Sequence, residues 1–191
     1  MNVVEVFNST RTAIDEELVA RLVGRVLDEE GVDGAEVSVA FVGETRIRAL
    51  NREHRGRDEV TDVLSFPLEE WESPDETVDA TLDGAAPTAE ARAAVVGSLA
   101  PDLGAVAEAA VAGESGPPLL LGDVVICARQ ALRQARADDL PPSLEVAVLL
   151  THGTLHLLGY DHETDAGQMA LRQAEVLELV DWEGLVEAPP R

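Results

Sequence analysis

Residues 143–162 read Ser143-Leu-Glu-Val-Ala-Val-Leu-Leu-Thr-His-Gly-Thr-Leu-His-Leu-Leu-Gly-Tyr-Asp-His162. From Leu144 to Leu158 the stretch is apolar almost all round, with Val146, Ala147, Val148, Leu149, Leu150, Leu155, Leu157 and Leu158 leaving no polar face. A helix of that kind belongs at the buried centre of a fold. Ser143 is placed to cap it, with Glu145 in the first turn. His152 and His156 are four apart, so they share one face of this helix, about 6 Å between Cβ atoms. Gly159 allows a left-handed exit, and His162 returns from the far side. Three of the chain's four histidines thus converge within eleven residues. Three imidazoles with one coordination position open to water is how a catalytic zinc is usually held; a structural zinc normally has four protein ligands. A rigid central helix suits such a site.

The spacing also matches the long zinc-protease pattern, in which His-Glu-x-x-His is followed by glycine and a third histidine. In that pattern the residue after the first histidine is the general base. Here it is Gly153, which has no side chain. The expected cage is present and the protease's base is missing, so the substrate should be one that metal-activated water attacks with other help.

Around this helix the periodicities predict an α+β domain, a small mixed sheet of about four strands covered by helices. Residues 12–30 read as an amphipathic helix, with Ile14, Leu18, Leu22 and Val26 in one row. Val37, Val39 and Phe41 alternate with small residues as in a strand. A short helix with Ile47, Leu50 and Asn51 inward ends at Gly56, and Val63–Phe66 is a short strand stopped by Pro67. Leu119–Cys127 reads as a buried strand, where Gly122 marks a bulge or a close approach. Helices follow at 128–138 and at about 165–180. Residues 73–118 differ from the rest, with thirteen alanines, five prolines, no aromatic and a charge of −7. They are expected to be a flexible insertion in one 191-residue domain.

The net charge is −23, and all fourteen basic residues are arginine. Globally that repels nucleic acid. Locally it does not: Arg46, Arg48, Arg52, Arg55 and Arg57 share twelve residues with one acid, Glu53, giving +4. Arg129, Arg133 and Arg136 form a second stripe on one helix face. No apolar run approaches the roughly 20 residues of a membrane span, and nothing in the first residues suggests export. Cys127 is the only cysteine, so no internal disulfide exists. A cytoplasmic location is expected.

The segment His152–His162 resembles the signature of the YbeY family of bacterial endoribonucleases, the ribosomal-RNA maturation factors. Leu50-Asn-Arg-Glu-His-Arg-Gly-Arg-Asp-Glu-Val-Thr-Asp-Val-Leu-Ser-Phe-Pro67 and Leu121-Gly-Asp-Val-Val-Ile126 are similar to two further blocks of that family, in the same order. The resemblance covers about residues 36–72 and 119–180. It implies a zinc-dependent RNA hydrolase acting in ribosomal-RNA maturation and ribosome quality control, with ribosomal RNA and ribosomal subunits as partners. It places the metal ligands on His152, His156 and His162, one ion per chain, and the family's functional arginine on Arg55. Two departures are visible. His54 replaces the family's tyrosine, and the 73–118 insertion is longer than the family's usual connection.

The residue chemistry fits beside this. A phosphorane-like transition state gathers negative charge on oxygen, and an arginine fork matches it; Arg55 is the expected partner. Arg46, Arg48, Arg52 and Arg57 are expected to bind RNA. Asp161 and Asp62 are candidates to orient ligands or carry protons. Two alternatives stay open: a zinc-containing ribosome-assembly factor without its own nuclease activity, and a zinc peptidase lacking the usual glutamate.

Overall fold

The computed structural model describes residues 1–68, 119–161 and 165–186. The 73–118 insertion and His162 lie outside the described residues. The described elements are β1 (Val3–Asn8), α1 (Glu16–Glu29), β2 (Ala35–Val42), α2 (Glu44–Arg55), β3 (Val63–Pro67), β4 (Leu119–Cys127), α3 (Ala128–Ala137), α4 (Pro142–Leu157) and α5 (Gln168–Leu177). They form the α+β arrangement expected: a four-stranded mixed sheet in the order β1-β2-β4-β3, parallel except where β3 runs antiparallel to β4.

Alternation along the strands divides the apolar residues between the two faces of the sheet. Val37, Val39 and Phe41 of β2 join Val124 and Ile126 of β4 in the main core, beneath α1, α4 and α5. Val125 and Cys127 of β4 face the other way and pack with Leu64 and Ile47 under α2. The central helix is as buried as its composition demands: Val146, Ala147, Leu150, Thr151, Thr154 and Leu155 are at most 1% exposed. Burial of Leu150 and of Leu155 stabilises the fold by about 1.5–3 kcal/mol each.

Glycine permits two close approaches. Gly122 has φ +136°, and a Cβ there would meet the Phe66 carbonyl oxygen. It adjoins a bulge, because Glu36 pairs with Leu120 while Val37 pairs with Gly122. Gly153 lets α4 lie directly on Val124 of β4.

Three local expectations need correction. The strand β1 is missing from the sequence reading. It is an edge strand whose outward residues Val3 and Phe7 are apolar and about half exposed, so no alternation is visible. Ile14 does not belong to the first helix. That helix starts after Asp15, whose carboxylate accepts the Leu18 N–H at 2.9 Å, and Ile14 instead bridges Val186. Ser143 is not the cap of α4, which begins with Pro142 at its first turn. The Ser143 hydroxyl accepts the Val186 N–H at 3.1 Å instead, tying the C-terminal segment to the helix.

Candidate active site

The helix α4 presents His152 and His156 from adjacent turns, both half-buried. Their Nε2 atoms are 3.1 Å apart, and the rings meet edge-on with centroids at 4.6 Å. Two nitrogens bound to one tetrahedral zinc at about 2.0–2.1 Å would stand about 3.3 Å apart. The described pair therefore fits a shared ion, and imidazole suits zinc. The chain leaves the helix through Gly159 at φ +86°, as the sequence requires.

Tyr160 then anchors the exit. Its hydroxyl donates to Oε2 of Glu30 at 2.9 Å. Burial, with the Glu30 charge beside it, pushes this phenol far above its usual pKa, so it stays protonated. Arg172 of α5 holds the other oxygen of Glu30 and donates to the Glu29 carbonyl at 2.8 Å. The end of α1, the exit from α4 and the body of α5 are thereby joined through one buried carboxylate.

A cleft of about 610 Å³ opens beside the histidine pair, lined by Arg55, Arg57, Thr61, Asp62, Val63, Ser65, His152, His156 and Asp161. It gathers residues from the end of α2, from β3 and from α4, about a hundred residues apart in sequence. Gly56 makes this possible. As the left-handed cap of α2 at φ +69°, it turns the chain between Arg55 and Arg57. The Ser65 hydroxyl donates to the Gly153 carbonyl at 3.1 Å, fixing β3 against α4.

The carboxylate of Asp62 is surrounded by donors: Gln134 at 2.9 Å, the Val63 N–H at 2.8 Å and the Thr61 hydroxyl at 3.1 Å. Burial alone would raise this carboxyl, but the donors prevail and hold it below the usual range. It is an anion at neutral pH. Asp161 lies at the cleft rim, exposed.

The five arginines of residues 46–57 divide by position. Arg55 and Arg57 line the cleft; Arg46, Arg48 and Arg52 do not. Arg48 makes a two-pronged ion pair with Asp58, 2.9 Å at each contact. The second stripe is also engaged: Arg133 and Arg129 both reach Glu44, the latter at 3.5 Å. His54 packs edge-on against Phe66 with centroids 4.8 Å apart.

Thr61, Val63, Ser65 and Gln173 were not foreseen as part of this site. Gln173 of α5 brings Oε1 to 3.0 Å from Nδ1 of His152. One signal was available for it, a polar residue on the row of Met169 and Val176, both buried.

The family model described as Endoribonuclease YbeY matches residues 5–181. The chain belongs to the YbeY endoribonuclease family. The Endoribonuclease YbeY of Macrococcus caseolyticus is 36% identical over 162 residues, covering 83% of this chain and 81% of that protein. That of Thermoanaerobacter sp. is 38% identical over 161 residues, covering 84% and 82%. That of Geobacillus kaustophilus is 38% identical over 169 residues, covering 87% and 86%. The solution structure of TM1509 from Thermotoga maritima shares the fold, with a TM-score of 0.51 over 92% of this chain and 87% of that one at 22% identity. The match to the YbeY model leaves out residues 1–4, where β1 begins, and those beyond 181.

Proposed function

We propose that this protein is a metal-dependent endoribonuclease that hydrolyses single-stranded RNA phosphodiesters, with ribosomal RNA as substrate, in ribosomal-RNA maturation and ribosome quality control. One observation carries the reading: the paired Nε2 atoms of His152 and His156 and the side chains of Arg55 and Arg57 open onto the same cleft. His152 and His156, with His162, are the proposed ligands of one zinc ion. When bound, zinc supplies Lewis acidity and lowers the pKa of water toward neutrality.

The chain's own side chains do the rest. Arg55 offers a planar fork of donors to the non-bridging oxygens of the scissile phosphate, where charge grows in the transition state. Arg57 holds an adjoining phosphate. Arg46 and Arg52, exposed on α2, extend the positive track outside the cleft, and Arg48 contributes less because Asp58 already neutralises it. Asp62 stays ionised and its oxygens are occupied by donors, which suits it to holding β3 and α3 in place rather than to moving protons. Gly153 leaves no room for the glutamate a zinc peptidase would use.

The test is cleavage of a single-stranded RNA oligonucleotide by purified protein, against the His152→Ala variant purified in parallel. Cleavage by the first and not by the second is expected. Equal cleavage by both would expose a contaminant, and no cleavage by either would leave a metal-containing ribosome-assembly factor.

A further inference from the structure

Two histidines on adjacent turns of a helix can reach a common ion, but the helix does not decide how each ring is turned or which nitrogen carries the proton. The last torsion of histidine is broad, and neutral imidazole has two tautomers. A ligand nitrogen must be the one without the proton. Something outside α4 has to make that choice for His152, and Oε1 of Gln173 stands 3.0 Å from its Nδ1.

We infer that Gln173 is a positioning residue that holds His152 as its Nδ1–H tautomer, so that the lone pair of Nε2 points to the spot it shares with His156. The role assigned to that lone pair rests on the proposed metal site; the tautomer itself does not.

The setting of Gln173 supports a directed contact. Met169 and Val176 flank it on the same row of α5 and are 1% and 0% exposed. A half-buried amide in such a row costs free energy unless its polar atoms are paired. The backbone that carries it is anchored at the adjacent residue. The next residue toward the N-terminus, Arg172, is clamped to Glu30 and to the Glu29 carbonyl, and also pairs with Glu175 at 3.1 Å. The amide oxygen is thus delivered from a rigid helix at hydrogen-bond distance. With its oxygen toward the ring, the amide accepts from Nδ1–H. His152 Nε2 is then the acceptor atom, 3.1 Å from Nε2 of His156. Acceptors of this kind raise ligand basicity and set ring orientation.

Two variants separate this role from simple packing. Gln173→Leu keeps similar bulk and removes the acceptor; Gln173→Glu keeps an acceptor. The first readout is the tautomer of His152 in metal-free protein, from proton–nitrogen-15 correlation spectra recorded with the imidazole neutral. The second is zinc affinity by competition with a chromophoric chelator. Wild type and Gln173→Glu should show Nδ1–H, and Gln173→Leu should shift toward Nε2–H. Zinc affinity should fall by about 10–100-fold in Gln173→Leu and hold or rise in Gln173→Glu. An Nε2–H tautomer in the wild-type protein overturns the inference, whether or not the leucine variant folds. So does a leucine variant with wild-type tautomer and wild-type affinity. Failure of wild-type protein to bind zinc at all would instead sink the proposed metal site, and the tautomer comparison would still decide the part played by Gln173.

Discussion

Gly153 on α4 and Val124 on β4 approach so closely that a Cβ on the glycine would stand 2.6 Å from Val124 Cγ1. Val124 is fully buried and branched at Cβ, so it has little freedom to move aside. Gly153→Ala would gain about 1 kcal/mol in helix propensity but overpack the core at a cost of about 1–3 kcal/mol. A net loss of about 1 kcal/mol is expected in urea denaturation. Combining it with Val124→Ala should cost less than the sum of the two single changes. Strict additivity would show that the contact is not the cause.

Metal removal should lower stability, because the ligands are assembled only in the folded chain. At a free ion concentration 100 times the dissociation constant, the stabilisation is about 2.7 kcal/mol. A chelator should lower the melting temperature of the wild-type protein and leave a His152→Ala, His156→Ala double variant unmoved. Elemental analysis should find about one divalent ion per chain in the former. A melting temperature indifferent to chelator would argue against the site.

Asp62 and Glu145 should respond to pH in opposite senses. The folded Asp62 carboxyl lies below its usual range, so its contribution is present above the unfolded value of about 3.9 and is lost as pH falls through the lowered value. Glu145 lies above its usual range, through burial and then the charges of Asp62 and Asp138. Its contribution is present below the unfolded value of about 4.3 and is lost as pH rises through the raised value. Glu145→Gln should therefore stabilise the protein at neutral pH, with the advantage shrinking in acid. Asp62→Asn should destabilise it at neutral pH by about 1 kcal/mol, allowing for partial solvent access. Denaturation curves for both variants across this pH range check the signs.

On RNA, Arg55→Ala should cut the single-turnover cleavage rate by about 100–1000-fold if the guanidinium meets developing charge, and weaken binding less. Arg46→Ala should weaken binding and reduce the slope of log affinity against log salt by about 1, with little change in rate. If Arg55→Ala altered affinity alone, it would be a phosphate anchor and no more.

The described strands on either side of residues 69–118, β3 and β4, are paired with each other. Pro67 pairs with Gly122 across the antiparallel β3–β4 ladder, and the Leu68 N–H reaches the Leu121 carbonyl at 3.1 Å. Replacing residues 75–115 by a short turn should therefore leave a cooperatively folding protein. Insoluble product, or a broad thermal transition, would show that the segment belongs to the core.

What could be read in the sequence follows physical lines. The helix α4 and its histidine pair were legible because period and burial coincide there. The bulge at Gly122 was legible because glycine in an apolar strand has few other reasons to exist. The edge strand β1 was not, since its solvent face carries Val3 and Phe7. The partner of Asp58 was not either. Arg55 is nearer to it in sequence, but Gly56 turns the chain and Arg48 receives it instead. The contact of Gln173 with His152 depends on how α5 is rotated against α4, and tertiary packing sets that rotation.

Because His152 rides on the most buried of the described helices, the backbone that carries it should persist as long as the core does. Local fraying exposes loops and helix ends at little cost in free energy, whereas a central helix opens only with the whole domain. Backbone amides near His152 should accordingly exchange with deuterium at the rate of global unfolding. Relaxation of the backbone that carries His152 is then a matter of whole-molecule lifetimes.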